Sequence, residues 1–301
     1  GWGIYALRGT MFLGVACIFT SSITYITLTT PEQRRTEAIG ILGVGGFIGF
    51  LIGPMIGEIV LGENPGVTEF ETYFWMGSSC VLVSMSLLFF MPSPPGSVKA
   101  GSLSLIQFIK TCQKYWPGSI VFINMAFGLS MTVPLHLLKK FVIDQNLNES
   151  MVGGLGIITI FYLVYAGWGM TIRILLKNAP DRIGRRKVLC VGLTSMVLGY
   201  SGYCTVTAES MWMILVPAFL CGTGHGLTYH CMTALSLQTF PTESRGTGSA
   251  LSLMAFDCGA VFGMPIMASL VVWQGYNMMF LTVAATVAVI SIIYFKQNGI
   301  R

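Results

Sequence analysis

Nine apolar runs, each about as long as a bilayer is thick, recur along this 301-residue chain. They cover residues 8–30, 38–61, 72–91, 118–138, 151–176, 187–207, 211–239, 246–273 and 275–295. Hydrocarbon leaves no backbone group without an internal partner, so runs of about 20 apolar residues read as membrane-spanning helices. Strands of a membrane barrel would be about ten residues long with alternating polarity, and the runs do not alternate. Only 10% of the residues are charged and 53% are hydrophobic, whereas a soluble domain carries about 25% charge. The expected class is an all-α integral membrane protein of about nine transmembrane helices, with lipid as its solvent.

Basic residues are distributed unevenly between the two sets of alternate connections. One set holds every Lys and Arg except Arg8, Lys139 and Lys140, while Glu58, Asp144 and Glu209 fall on the other. The positive-inside rule then puts residues 31–37, the linker 93–117, the loop 177–187 and the C-terminus in the cytoplasm. The same asymmetry accounts for the basic stretch Arg182, Arg185, Arg186 and Lys187 without a nucleic-acid partner. The eight cysteines lie singly and read as small buried hydrophobes. No metal-ligand spacing, no H-E-x-x-H or G-x-S-x-G and no G-x-x-x-x-G-K-[ST] occurs. Neither an enzyme, nor a cofactor, nor direct drive by ATP is expected.

An internal repeat organises the chain. A shift of 210 residues lays Pro31 on Pro241, Arg35 on Arg245, Gly14 on Gly224, Gly49 on Gly259 and Gly53 on Gly263. Both repeated loops are basic and lie on the same side, so the repeat runs in one sense, as in transporters built from parallel repeats. Three spans in 1–91 match the last three, and the middle three have no upstream partner. The expected domains are 1–91, three helices of an N-terminal half; 92–117, a cytoplasmic linker with an amphipathic interfacial helix over 103–114; and 118–301, a six-helix C-terminal half. The start at Gly1-Trp2-Gly3, without Met and close to a span, reads as a cut end.

Three local patterns stand out. Gly49-x-x-x-Gly53-Pro54-x-x-Gly57 combines small residues four apart, which let a second helix approach, with a proline that removes a backbone donor. Asp181-Arg182-Ile183-Gly184-Arg185-Arg186 is a compact charged loop, and Arg8 precedes Gly14 in the first span. With these patterns the chain resembles the major facilitator superfamily, as helices four to twelve of the family's twelve in two six-helix halves. The first pattern is similar to the family's fifth-helix antiporter signature, with Glu58 where a second Gly is usual. The second is similar to the loop signature between helices eight and nine, with Lys177 where that signature has Gly. Arg8 falls on the fourth-helix arginine, with Phe12 in place of the first Gly that follows it. The resemblance implies that Gly49, Gly53, Pro54 and Gly57 are moving parts. It also implies that Asp181, Arg182, Gly184, Arg185 and Arg186, with Arg245 of the repeated loop, latch helix ends in one state and release them in the other.

Polar groups inside spans are the candidates for a solute and proton pathway, because burying them is costly. Asp257 lies mid-span, and burial disfavours charge on a carboxyl, which suits proton uptake and release. Hydrogen-bonded packing is the plain alternative. His225 sits among glycines near mid-membrane. His230 is five residues on, about 140° around the helix, which argues against a shared metal site and reads as structural. Tyr229 lies between them. His136 is placed near the outer mouth with Lys139 and Lys140, and Tyr165 and Trp168 share one face of their helix as a cavity wall or as packing. Together with Arg8 these residues form the candidate pathway.

The expected function is secondary active transport by alternating access. Proton-coupled efflux by antiport of a drug-like compound, sugar or metabolite ranks first, and proton-coupled symport for uptake second. A non-transporting sensor or inactive remnant is the reading from another class. The expected partners are a small-molecule substrate, protons and the bilayer. The expected setting is a bacterial inner membrane, with a monomer as the complete functional unit.

Overall fold

A computed structural model describes residues 2–62, 64–92, 104–147 and 155–300. These form eleven α-helices and four short 3-10 turns. The first group comprises α1 (Trp2–Thr29), α2 (Arg35–Leu42), α3 (Val44–Leu61) and α4 (Val67–Leu88). An amphipathic helix follows, α5 (Leu105–Lys114), and then α6 (Ile120–Asp144), α7 (Ile157–Leu175), α8 (Ala179–Ile183), α9 (Arg185–Gly202), α10 (Leu215–Leu237) and α11 (Arg245–Asn298). Among the described residues seven helical segments are long and apolar enough to span a bilayer. The last of these, Thr242–Asn298, divides at Gly275, whose φ of 82° is non-helical, and so supplies the two expected runs 246–273 and 275–295. The run 72–91 is the helix α4, which ends at Leu88 and carries Glu69, Glu71 and several serines; it falls outside the seven.

The run 38–61 does not form one smooth helix. It breaks at Gly43, between α2 and α3, while Pro54 lies inside α3. A Cβ at Gly43 would overlap Nη1 of Arg173, so the break sits where a side chain of α7 reaches in.

The core lies in α6, α7 and α9 to α11. Phe127, Phe141, Phe161, Tyr200, Tyr203 and Phe280 are its largest fully buried side chains. Lipid tails are as apolar as these residues, so close packing and hydrogen bonds hold the helices together rather than escape from water. Two glycines set the distance between α11 and α6: a Cβ at Gly259 would overlap the Met125 carbonyl, and one at Gly263 would come within 2.5 Å of Leu129. Asn124 adds polar glue by donating to Ser236 Oγ at 3.0 Å and accepting from Ser252 at 2.7 Å, which ties α6, α10 and α11 together. In contrast α1 buries only Ile23 and Thr27, and α4 buries no residue.

The repeat has a shared local geometry. Pro31 (ψ 148°) and Pro241 (ψ 164°) each start a 3-10 turn, and Arg34 (φ −116°) and Ser244 (φ −111°) each convert it to the α-helix that begins at Arg35 or Arg245. Basic loops gather at one end of the bundle. Arg185 reaches the Glu32 carbonyl at 3.5 Å, Arg245 donates to the Thr27 carbonyl at 2.9 Å, and Arg186 donates to the Asn298 carbonyl at 2.6 Å. The linker helix α5 opens with a Ser104–Gln107 capping box, buries Cys112 against Phe240 and Leu251, and exposes Leu105, Ile106 and Ile109. Part of the expected linker and its amphipathic helix, 93–103, lies outside the described residues.

Candidate functional site

Helices α2–α3 and α7 run antiparallel, with polar contacts at both ends and aromatic contacts between. At the basic end the Glu37 carboxylate is buried, with Arg34 donating at 3.0 and 3.2 Å and Lys177 Nζ at 3.3 Å. With its amide nitrogen turned inward, Asn178 donates to the same carboxylate at 3.0 and 3.2 Å. Midway, Phe47 packs so close to Gly169 that a Cβ there would lie 2.6 Å from its ring. Phe47 and Phe50 both meet the Tyr165 ring edge-on, at centroid distances of 6.0 and 6.4 Å. At the far end the Glu58 carboxylate accepts from the Gly156 amide at 3.3 Å and from the Thr159 hydroxyl. Gly156 is the N-cap of α7, so Glu58 caps that helix from across the seam. At 1.5 Å per residue, Thr159 and Lys177 are about 27 Å apart along the chain, close to the ~30 Å of hydrocarbon in a bilayer.

A buried polar cluster faces the middle of this seam. Tyr165 Oη lies 2.5 Å from His225 Nδ1, and the other ring nitrogen lies 3.1 Å from Ser130 Oγ. Tyr200 donates to the Ser130 carbonyl. The ring of Phe127 meets that of His225 edge-on at 5.2 Å. About two turns along α7, the buried Arg173 guanidinium donates to the carbonyls of Gly226 and His225, both at 3.0 Å. It lies between two rings, 4.7 Å from that of Phe47 and 5.4 Å from that of Tyr229. Carbonyls and ring faces satisfy this cation, and no carboxylate pairs with it among the described residues.

The structure joins some of the expected pathway and separates the rest. His225, Tyr165 and Tyr229 belong to the cluster, and Trp168 adjoins it by donating to Thr223 Oγ1 at 2.7 Å and stacking on Phe219 at 4.5 Å. Asp257 lies apart, in a groove of about 440 Å3 whose lining includes Ala16, Thr20, Phe108, Met254 and Phe262. No hydrogen bond or ion pair reaches its carboxyl among the described residues. Arg8 is exposed on α1. His136 is exposed and turns Nδ1 to the Thr132 carbonyl of its own helix at 2.9 Å. His230 is buried against Gly40 with neither ring nitrogen partnered.

The loop residues expected to latch helix ends make the following contacts. Arg185 pairs with Asp181 at 3.2 Å, and Gly184 takes a φ of 108° that only glycine adopts freely. Arg186 and Arg245 reach the carbonyls named above, while no pairing of Arg182 is seen among the described residues. Among the described residues no helix makes the expected close approach at Gly49 and Gly53: a Cβ at either would meet nothing within 4 Å, and one at Gly57 only the Tyr73 ring at 3.8 Å. The small residue at the α3–α7 contact is Gly169, on the opposite helix. Glu37 is not among the residues expected from the sequence, and Glu58 figures there through charge placement and as a departure from a signature. Carboxylates at either end of one apolar run were the signal for both.

A family model described as Major Facilitator Superfamily matches residues 2–179 and 157–299. An uncharacterised MFS-type transporter of Methanocaldococcus jannaschii is 22% identical over 84% of this chain and 64% of its own length. The class H tetracycline resistance protein of Pasteurella multocida is 25% identical over 66% of this chain and 48% of its own. The chain thus spans less than two thirds of either relative. Among solved structures, the Escherichia coli fucose:proton symporter aligns with a TM-score of 0.70 at 14% identity, covering 95% of this chain and 74% of that one. A human organic anion transporter aligns at 0.66 and 14%, covering 91% and 67%.

Proposed function

The chain belongs to the Major Facilitator Superfamily, and from that premise we propose that it is a secondary active transporter working by alternating access. The observation that carries this reading is the α2–α3/α7 seam, tied at both ends by polar contacts and backed at its aromatic middle by the buried His225 cluster. Rocking that frees one end while holding the other exposes the His225–Tyr165 cluster to one side at a time. In this reading Glu37, Lys177, Asp181, Arg185 and Arg245 hold the basic end, and that end and the C-terminus face the cytoplasm of a bacterial inner membrane. Gly49, Gly53, Pro54 and Gly57 give α3 its compliance, and the functional unit is a monomer.

Proton-coupled export is the favoured direction. The α3 signature and a tetracycline resistance protein among the relatives support an amphipathic drug-like compound as the first solute class to test, ahead of sugars. Asp257, a carboxyl among apolar side chains, is the proposed proton carrier, and Arg8 is its proposed helper on α1. The test is flux in proteoliposomes under an imposed pH gradient, with labelled tetracycline and a panel of sugars and amphiphiles. Gradient-dependent movement that an uncoupler abolishes is expected. No movement of any panel member would sink the reading, and movement with the proton gradient instead of against it would replace antiport by symport.

A further inference from the structure

We propose that Glu58 is a proton-binding latch: ionised, it holds the N-terminus of α7 against α3, and protonated, it lets that end of the seam part. The donors decide this. Among the described residues Glu58 is held by neutral groups, the Gly156 amide and the Thr159 hydroxyl, together with the partial positive charge of the α7 N-terminus. Uptake of a proton removes the charge that makes these contacts strong and strands no cation. Glu37 differs, because protonating it would leave Arg34 and Lys177 without their counter-charge. A falling pH therefore acts on the Glu58 end and spares the Glu37 end. No basic side chain pairs with Glu58 among the described residues. The α4 helix packs Tyr73 near Gly57 and brings Glu69 and Glu71 to the same end in its first turns. The nearest charge on α7, Arg173, is 14 residues along, about 21 Å. The proton comes from the solvent on the side this end faces and returns there when the end recloses. Glu58 thus sets which access state is populated, while the transported proton is carried elsewhere.

The proposal rests on the transporter reading for its consequence in flux, and its test reads geometry. Spin labels on noncanonical residues at Ile59 and Ile160 report the Glu58 end, and labels at Ile41 and Leu175 report the other. In the otherwise unchanged protein in liposomes, the long-distance population of the first pair is expected to rise several-fold as the pH is lowered from neutral into the acid range. The second pair is expected not to lengthen. Glu58→Gln should hold the first pair long at every pH. Thr159→Val, which removes one donor and no charge, should lengthen the first pair before any acid is added and tests the proposal if the glutamine variant does not fold. A first-pair distance indifferent to pH in the unchanged protein overturns the latch even where flux is present, and so does a wild-type response retained by Glu58→Gln. Opening driven by pH without flux of any solute counts against the transporter reading alone.

Discussion

The hydroxyl of Tyr165 on α7 and Nδ1 of His225 on α10 lie 2.5 Å apart in a site without solvent contact. Because the other imidazole nitrogen faces Ser130 Oγ, the ring is gripped at both edges. The same tyrosine ring takes Phe47 and Phe50 of α3 edge-on. Tyr165 therefore links the aromatic face of α3 to the histidine of α10.

Tyr165→Phe keeps the ring and its aromatic contacts and strands Nδ1 of His225. A buried polar atom left without its partner costs about 1–3 kcal/mol. The melting temperature in detergent should fall accordingly, and flux should drop more than for Trp168→Phe, whose lost bond is to the less buried Thr223. Equal stability of Tyr165→Phe and the wild type would remove the pair from the site.

Glu37→Gln should loosen the basic end. Arg34 is largely exposed and Lys177 partly so, so water screens them and the loss of stability is small. The diagnostic is location: the distance between labels at Ile41 and Leu175 should broaden while that between Ile59 and Ile160 stays narrow. Broadening at both ends would show that the ends are not separate latches.

Much of the architecture is legible in the sequence because lipid imposes it. Apolar length gives the spans, charge placement gives the basic end, and the Pro31/Pro241 repeat gives matching 3-10 turns. Pair-specific features are less legible. Gly49 and Gly53 carry the strongest small-residue signal and face open space, while their repeat mates Gly259 and Gly263 make the close approach. Sequence spacing shows that a face is small and not whether a helix lies against it. Arg173 reads as one more positive-inside residue, yet it is buried between Phe47 and Tyr229, residues 126 positions behind it and 56 ahead. Glu58 meets its partners about 100 residues away, across a segment that no local pattern bridges.

The glycines offer a direct contrast. Gly259→Ala drives a methyl into the Met125 carbonyl, and overpacking of this kind costs about 1–3 kcal/mol or more. Gly49→Ala meets nothing and gains up to about 1 kcal/mol of helix propensity. Melting should separate the two variants in sign. Normal stability with lost flux in Gly49→Ala would support a role in motion, and normal flux would leave that glycine without one.

Asp257→Asn changes an exposed, unpartnered carboxyl and should leave stability within about 0.5 kcal/mol. Gradient-driven flux should be lost while solute exchange at equal pH persists, since exchange needs no net proton movement. Unchanged flux with unchanged pH dependence would take proton carriage away from this residue.

Arg173→Lys is expected to fail where a charge-conserving change is usually mild. The guanidinium meets two carbonyls at 3.0 Å from two different nitrogens and lies between two ring faces at once. An ammonium is a compact point charge that lacks this planar fork and is harder to desolvate. Gly43 leaves no room for a Cβ beside Nη1, so the pocket is shaped to the fork and not to a bulkier neighbour. Arg173→Lys should therefore lower the melting temperature nearly as far as Arg173→Met. A lysine variant that melts like the wild type would mean that charge alone holds this crossing of α3, α7 and α10, and that the two-carbonyl geometry is incidental.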